Sequence, residues 1–160
     1  MLLNLCKYNI WANQKITEYI LAAGNEIADV ELQSSFPTIR KTLYHIWDAQ
    51  AIWYSRLKGV SFNSWPSKDF TGTLDEACAG LLLSSREFIS LVENCNGDFS
   101  RVVTYQTLDG KEFKNTVEEV VTHCMNHGTY HRGQLITMLR QAGFKQVGST
   151  DYIRFARENH

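Results

Sequence analysis

The stretch Val121 to Leu135, VTHCMNHGTYHRGQL, constrains the chain most, because it sets His123, His127 and His131 at intervals of four. Residues four apart on an α-helix lie one above the other on nearly one face. Two imidazoles at that spacing can converge on a single metal ion, as in the helix of zinc proteases. Three cannot. At ~1.5 Å rise per residue, His123 and His131 are ~12 Å apart along the axis, whereas a zinc–nitrogen bond is only ~2.0–2.1 Å. The helix therefore offers one pair, and a third ligand must come from elsewhere in the chain. The remaining histidines are His45 and His160. His45 lies in a second strongly helical stretch, which makes it the natural partner.

The rest of the chain reads as helices around that one. Leu2, Leu5, Cys6, Ile10, Ala12, Ile16, Tyr19 and Ile20 recur at a period near 3.6, predicting a first helix over 2–21 that stops at Gly24. Residues 25–36 form a connection, with room for a short turn. Pro37 is predicted to open a second helix, which carries Leu43, Ile46, Trp47, Gln50, Ile52, Trp53, Tyr54 and Leu57 and stops at Gly59. The segment 60–72 holds Ser61, Asn63, Ser64, Pro66, Ser67 and Gly72 without periodicity. It is long for a helix hairpin and suits a crossover that lets the second and third helices run the same way.

Thr73-Leu-Asp-Glu76 fits a capping box for a third helix running to about Asn94, with Leu74, Ala77, Leu81, Phe88 and Val92 inward. Between Phe99 and Asn115 the helical period breaks. Leu108-Asp-Gly there sits between two extended runs and predicts a β-hairpin. Thr116-Val-Glu-Glu119 is a second capping box, opening a fourth long helix that ends before Gly143. The tail from Ser149 can form one short helix. The expectation is an all-α four-helix bundle, one domain over residues 1–160, with a small hairpin before the last long helix.

Composition narrows the function. Sixteen basic against seventeen acidic residues leave no basic patch, which argues against nucleic acid. No apolar stretch approaches the ~20 residues that span a bilayer, and the N-terminal apolar run lacks a positive leader and a cleavage site. A cytoplasmic protein without membrane attachment is expected. Cys6, Cys78, Cys95 and Cys124 are scattered, with no CxxC pair, and read as free, mostly buried thiols. Cys124 points ~100° around the helix from His123 and is the weaker candidate ligand.

HExxH is absent, and so is the pair of Glu-x-x-His runs that a di-iron bundle needs. No P-loop, GxGxxG or GxSxG occurs. Among the neighbours of the histidines, Asp48 is three after His45 on the same face and is a candidate catalytic carboxylate, able to orient a ligand or accept a proton. Arg132 and Gln134 are expected to join helices or subunits, and Gly133 to allow close packing of a second backbone. Trp11, Trp47, Trp53, Tyr8 and Tyr44 are core candidates, one or two of which can line an apolar cleft beside the metal.

YNIWANQKI at the N-terminus, LYHIWDAQAIWYSRL, NHGTYHRGQL and the downstream Asp151-Tyr152 together resemble the DinB/YfiT-like family of metal-binding four-helix bundles, over nearly the whole chain. HxxxHRGQ is the most specific part. The resemblance implies an up-down-down-up bundle and one divalent ion, zinc or nickel, held by His45, His127 and His131. His123 then becomes a residue that lines the cavity or supports a ligand from behind, rather than a ligand. The resemblance also implies a metal-dependent enzyme that activates water or a low-molecular-weight thiol of the bacillithiol type, as a hydrolase or thiol transferase acting on a small molecule. The rival is a non-catalytic metal-binding stress or sensor protein. A homodimer is also expected.

Overall fold

The computed structural model describes residues 1–60, 62 and 64–158; Ser61, Asn63 and His160 lie outside the described residues. In chain order come α1 (Leu2–Ala28), α2 (Ile39–Lys58), α3 (Leu74–Glu93), β1 (Val102–Gln106), β2 (Glu112–Thr116), α4 (Val117–Gln141) and α5 (Tyr152–Glu158). Both predicted capping boxes are formed: Thr73 and Thr116 accept from the backbone N–H of Glu76 and Glu119, whose carboxylates take the N–H of the cap in return. The strands pair antiparallel from Val102↔Thr116 to Gln106↔Glu112, leaving residues 107–111 as the turn.

Helix α1 packs against α3 and α4, and α2 packs against the same two, so α1 and α2 sit on opposite corners of the bundle. Its sense follows from the core. One cluster joins Ile16 and Ile20 late in α1 to Ile39 and Leu43 early in α2, Leu74 and Ala77 early in α3, and Met138 and Leu139 late in α4. The other joins Leu2 and Cys6 to Leu57, Phe88, Val92 and Val117–Val121. Helices α1 and α4 thus run one way and α2 and α3 the other: up-down-down-up, with the connection after α2 returning along the bundle.

Between the two apolar clusters lies a buried polar layer that the apolar periodicity does not reveal. Asn9 Nδ2 donates to Gln50 Oε1 (2.7 Å) and Asn13 Nδ2 to Ser85 Oγ (3.0 Å). Gln50 Nε2 donates to Ser85 Oγ (3.1 Å). The guanidinium of Arg132, 1% exposed, gives Nη1 to Asn9 Oδ1 (2.6 Å) and Asn13 Oδ1 (2.9 Å) and Nη2 to Thr129. Arg132 does join helices, as expected.

Three local expectations are corrected. Gly24 does break the first helix, at φ +81°, ψ 174°, a backbone setting open to glycine; but helical turns resume beyond it to Ala28. Pro37 is not the first turn of α2. Thr38 is the N-cap, its hydroxyl accepting from Lys41 N–H, and proline precedes it. Gly133 is exposed and a Cβ there would meet nothing within 4 Å, so it packs no backbone. The crowded glycine of α4 is Gly128, where a Cβ would lie 2.9 Å from both Arg132 Nη1 and Asn9 Oδ1.

Candidate metal centre

His127 and His131 are one turn apart on α4, and the packing of α2 on α4 brings His45 against them. His45 Nε2 stands 3.0 Å from His127 Nε2, which is 3.1 Å from His131 Nε2, and the three ligand atoms fall within 4.8 Å of one another. Nitrogens bound to one tetrahedral zinc at ~2.0–2.1 Å stand ~3.4 Å apart, so the constellation is close to a ready-made set of three ligands. The tautomer agrees. Gln134 Oε1, an acceptor, lies 2.7 Å from His131 Nδ1, which puts the ring proton on Nδ1 and leaves the Nε2 lone pair facing the other two imidazoles. Gln134 Nε2 in turn donates to Ser35 Oγ (3.0 Å), so the connection between α1 and α2 braces the His131 ring. Phe36 from that connection stacks on His45 at 4.3 Å.

The electrostatics favour neutral rings. Burial, then the neighbouring imidazoles of His131, His45 and His123, bring the His127 pKa down to about 4. Burial, then His131, lowers His45. Burial also lowers His131, against the pull of Gln134. Such rings present free lone pairs at neutral pH, the form in which imidazole ligates a metal.

His45 and His127 line a cleft of about 720 Å³ shared by α2, α4, the crossover and the hairpin turn, a size suited to small molecules. His123 lines its wall, outside the converging trio, with its ring against Trp53 at 4.8 Å. This fits a cavity residue. Trp53 is the expected aromatic that lines the cleft, whereas Trp11 and Tyr8 pack against Phe155 of α5. Asp48 also faces the cleft. Its carboxylate accepts from Ser67 N–H (3.0 Å) and Ser67 Oγ (2.6 Å), tying down the crossover; burial raises its pKa, against those two bonds. Cys124 is buried in the apolar cluster with Cys6 and Val121, its thiol pushed above its ordinary range by burial, and is no part of the trio.

Sequence reasoning overlooked Phe36, Ser35 and Ser67, which lie in connections with no periodicity to place them. Gln134 had a signal, since it follows His131 by three on the same helix face.

The DinB family model matches residues 1–159. Protein DinB of Bacillus subtilis (strain 168) is 32% identical over 154 residues, covering 92% of this chain and 89% of that protein. The crystal structure of a DinB-like protein from Bacillus cereus ATCC 10987 superposes with a TM-score of 0.69 at 17% identity, covering 89% of this chain and 91% of that one.

Proposed function

For this chain, which belongs to the DinB family, we propose a metal-dependent enzyme in which His45, His127 and His131 hold one divalent ion, zinc or nickel. The observation that carries the reading is the convergence of three neutral imidazole nitrogens, two of them from rings that line a cleft of small-molecule size. Three neutral ligands leave the ion's charge undiminished and a coordination position open, and such an ion when bound supplies a Lewis acid that can lower the pKa of water or of a small thiol. The substrate is a small molecule, attacked by water (hydrolysis) or by a low-molecular-weight thiol (transfer of the thiol sulfur onto an electrophile).

The protein's own groups do the rest. Gln134 fixes the ring of His131 and its tautomer. Asp48, half-buried in the cleft and bonded through Ser67 to the crossover, is the carboxylate proposed to accept the proton that the nucleophile loses. Its raised pKa suits that task at neutral pH better than a fully solvated carboxylate would. Trp53 and Ile52 line the route to the histidines with apolar surface.

The test is elemental analysis of tag-free protein beside a His127→Ala variant. About one zinc or nickel per chain, lost in the variant, is the expected result and justifies assays of thiol transfer and hydrolysis. A chain that takes up no zinc, nickel or manganese on reconstitution would overturn the reading.

A further inference from the structure

Among the described residues, Arg56 is the cation of the cleft wall that aromatic rings hold in place. It follows His45 by eleven residues on α2, a rotation of ~20° modulo full turns at 100° per residue, and a rise of ~16 Å. The two side chains therefore leave the same face of one helix three turns apart, and Ala49 and Ile52 lie between them on the cleft wall. The Arg56 guanidinium lies 4.3 Å from the ring centroid of Trp53 and 4.6 Å from that of Tyr105 on β1. Two aromatic rings at 80° to one another thus flank it, and a guanidinium held between them keeps the planar donor fork that suits bidentate recognition of an oxyanion.

No ion pair forms on Arg56 among the described residues, and its Nε is buried without a hydrogen-bond partner. Neither cleft carboxylate is spent on it. Asp48 is bonded to Ser67, and Asp109 on the hairpin turn pairs with Lys111 at 2.8 Å. The exposed Lys68 adds a second positive charge on the crossover side. A half-buried arginine with no carboxylate to neutralise it carries a desolvation cost that an incoming anion would relieve; burial lowers its pKa accordingly, with Tyr105 opposing.

We propose that Arg56 is the substrate-anchoring residue of the cleft: it takes the carboxylate, phosphate or sulfonate end of an elongated small molecule whose middle lies on Ile52 and Trp53 and whose other end reaches the histidines. This deepens the enzyme reading by naming a substrate class, and it rests on that reading for what happens at the histidine end.

Full-length protein, loaded with zinc or stripped with chelator, is titrated with two fluorescent probes of one shape. One is anilinonaphthalene sulfonate and the other is N-phenyl-1-naphthylamine, which lacks the anion. A sulfonate is a feeble ligand for zinc, so the metal does not compete for it. Arg56→Gln is expected to weaken the anionic probe at least about tenfold, as removal of a charge-assisted bond requires, and to leave the neutral probe unchanged. Arg56→Lys should retain part of the preference. In the wild type, salt should weaken the anionic probe alone, which keeps the idea testable if the glutamine variant folds poorly.

Equal loss of both probes would show that Arg56 only clamps the hairpin to α2, and no loss of either would show that the anion binds elsewhere. Anionic binding that vanishes with the metal would place the anion on the ion. Each of these outcomes overturns the proposal. Metal content, measured on the same samples, reports separately on the histidine site.

Discussion

Two glycines five residues apart on α4 should respond to alanine with opposite signs. Gly133 is exposed, and a Cβ there meets open space. Gly133→Ala should therefore stabilise the fold by about 0.5–1 kcal/mol, the difference between glycine and alanine in a helix interior. Gly128 earns the same local gain, but its Cβ would fall 2.9 Å from Arg132 Nη1 and 2.9 Å from Asn9 Oδ1, into the 2.6 Å bond between those atoms. Neither group can step aside freely, because Nη1 also holds Asn13 Oδ1 and Asn9 Nδ2 holds Gln50. Losing a hydrogen bond to a charged group costs about 1.5–3 kcal/mol. Set against the helix gain, Gly128→Ala should destabilise by about 0.5–2.5 kcal/mol. The assay is urea denaturation of both variants in excess chelator, so that metal binding does not add stability by mass action. If Gly128→Ala raised the midpoint as Gly133→Ala does, the polar layer would not be the tight contact that Gly128 makes it.

Replacing Gln134 by Leu removes the acceptor at His131 Nδ1; zinc affinity, read by competition with a chromophoric chelator, should drop about 10–100-fold, as for other groups that orient a ligating histidine, and an unchanged affinity would refute the bracing role. The metal-free chain should lose stability as pH falls from the ordinary histidine pKa of 6.5 toward about 4, because over that window the unfolded chain binds protons that buried His127 refuses. Above that window the His127 contribution is constant; the thermal midpoint followed against pH should show a shallower acid slope in His127→Ala, and equal slopes would contradict the assignment. Arg132→Met leaves Asn9 and Asn13 without their donor; it should weaken zinc binding at least about tenfold while helical circular dichroism persists, although residue 132 touches no ligand.

What could be read from the sequence is what local chemistry encodes. Thr73 with Glu76 and Thr116 with Glu119 are reciprocal caps complete within four residues, and each does open its helix where expected. The Leu108-Asp-Gly turn likewise needs only its own glycine, Gly110 at φ +80°. The pairing of His127 with His131 follows from helical pitch alone. Features requiring two distant segments were harder. Asn9 and Asn13 interrupt the apolar run of α1 and look solvated, yet both are buried, because Gln50, Ser85 and Arg132 meet them from three other helices. Phe36 and Ser67 reach the site from connections, whose paths no periodicity specifies. The cost of a glycine inside a helix predicts close packing at Gly133, but it is Gly128 that faces the crowded interior, in the direction of Asn9.

The polar layer and the three-histidine cluster are neighbours for a reason. Arg132 follows His131 by one residue and so points ~100° away around α4, into the bundle toward α1, while His131 meets His45 of α2. On α2, Gln50 is five residues beyond His45 and bonds to the same asparagine that Arg132 holds. The chain Arg132–Asn9–Gln50 therefore links α4 to α2 through α1, within a turn and a half of the histidines on each helix. Leucine and isoleucine surfaces tolerate a slip of one helical turn, ~5.4 Å, far better than such a network does, since a slip leaves a buried guanidinium without its acceptors. A slip of that size would also part His45 from His127, whose Nε2 atoms now stand 3.0 Å apart, and from His131 beside it. On this account the buried arginine sets the register on which the three-histidine site depends, and loss of metal affinity in Arg132→Met without loss of helix is the signature that separates register from bulk stability.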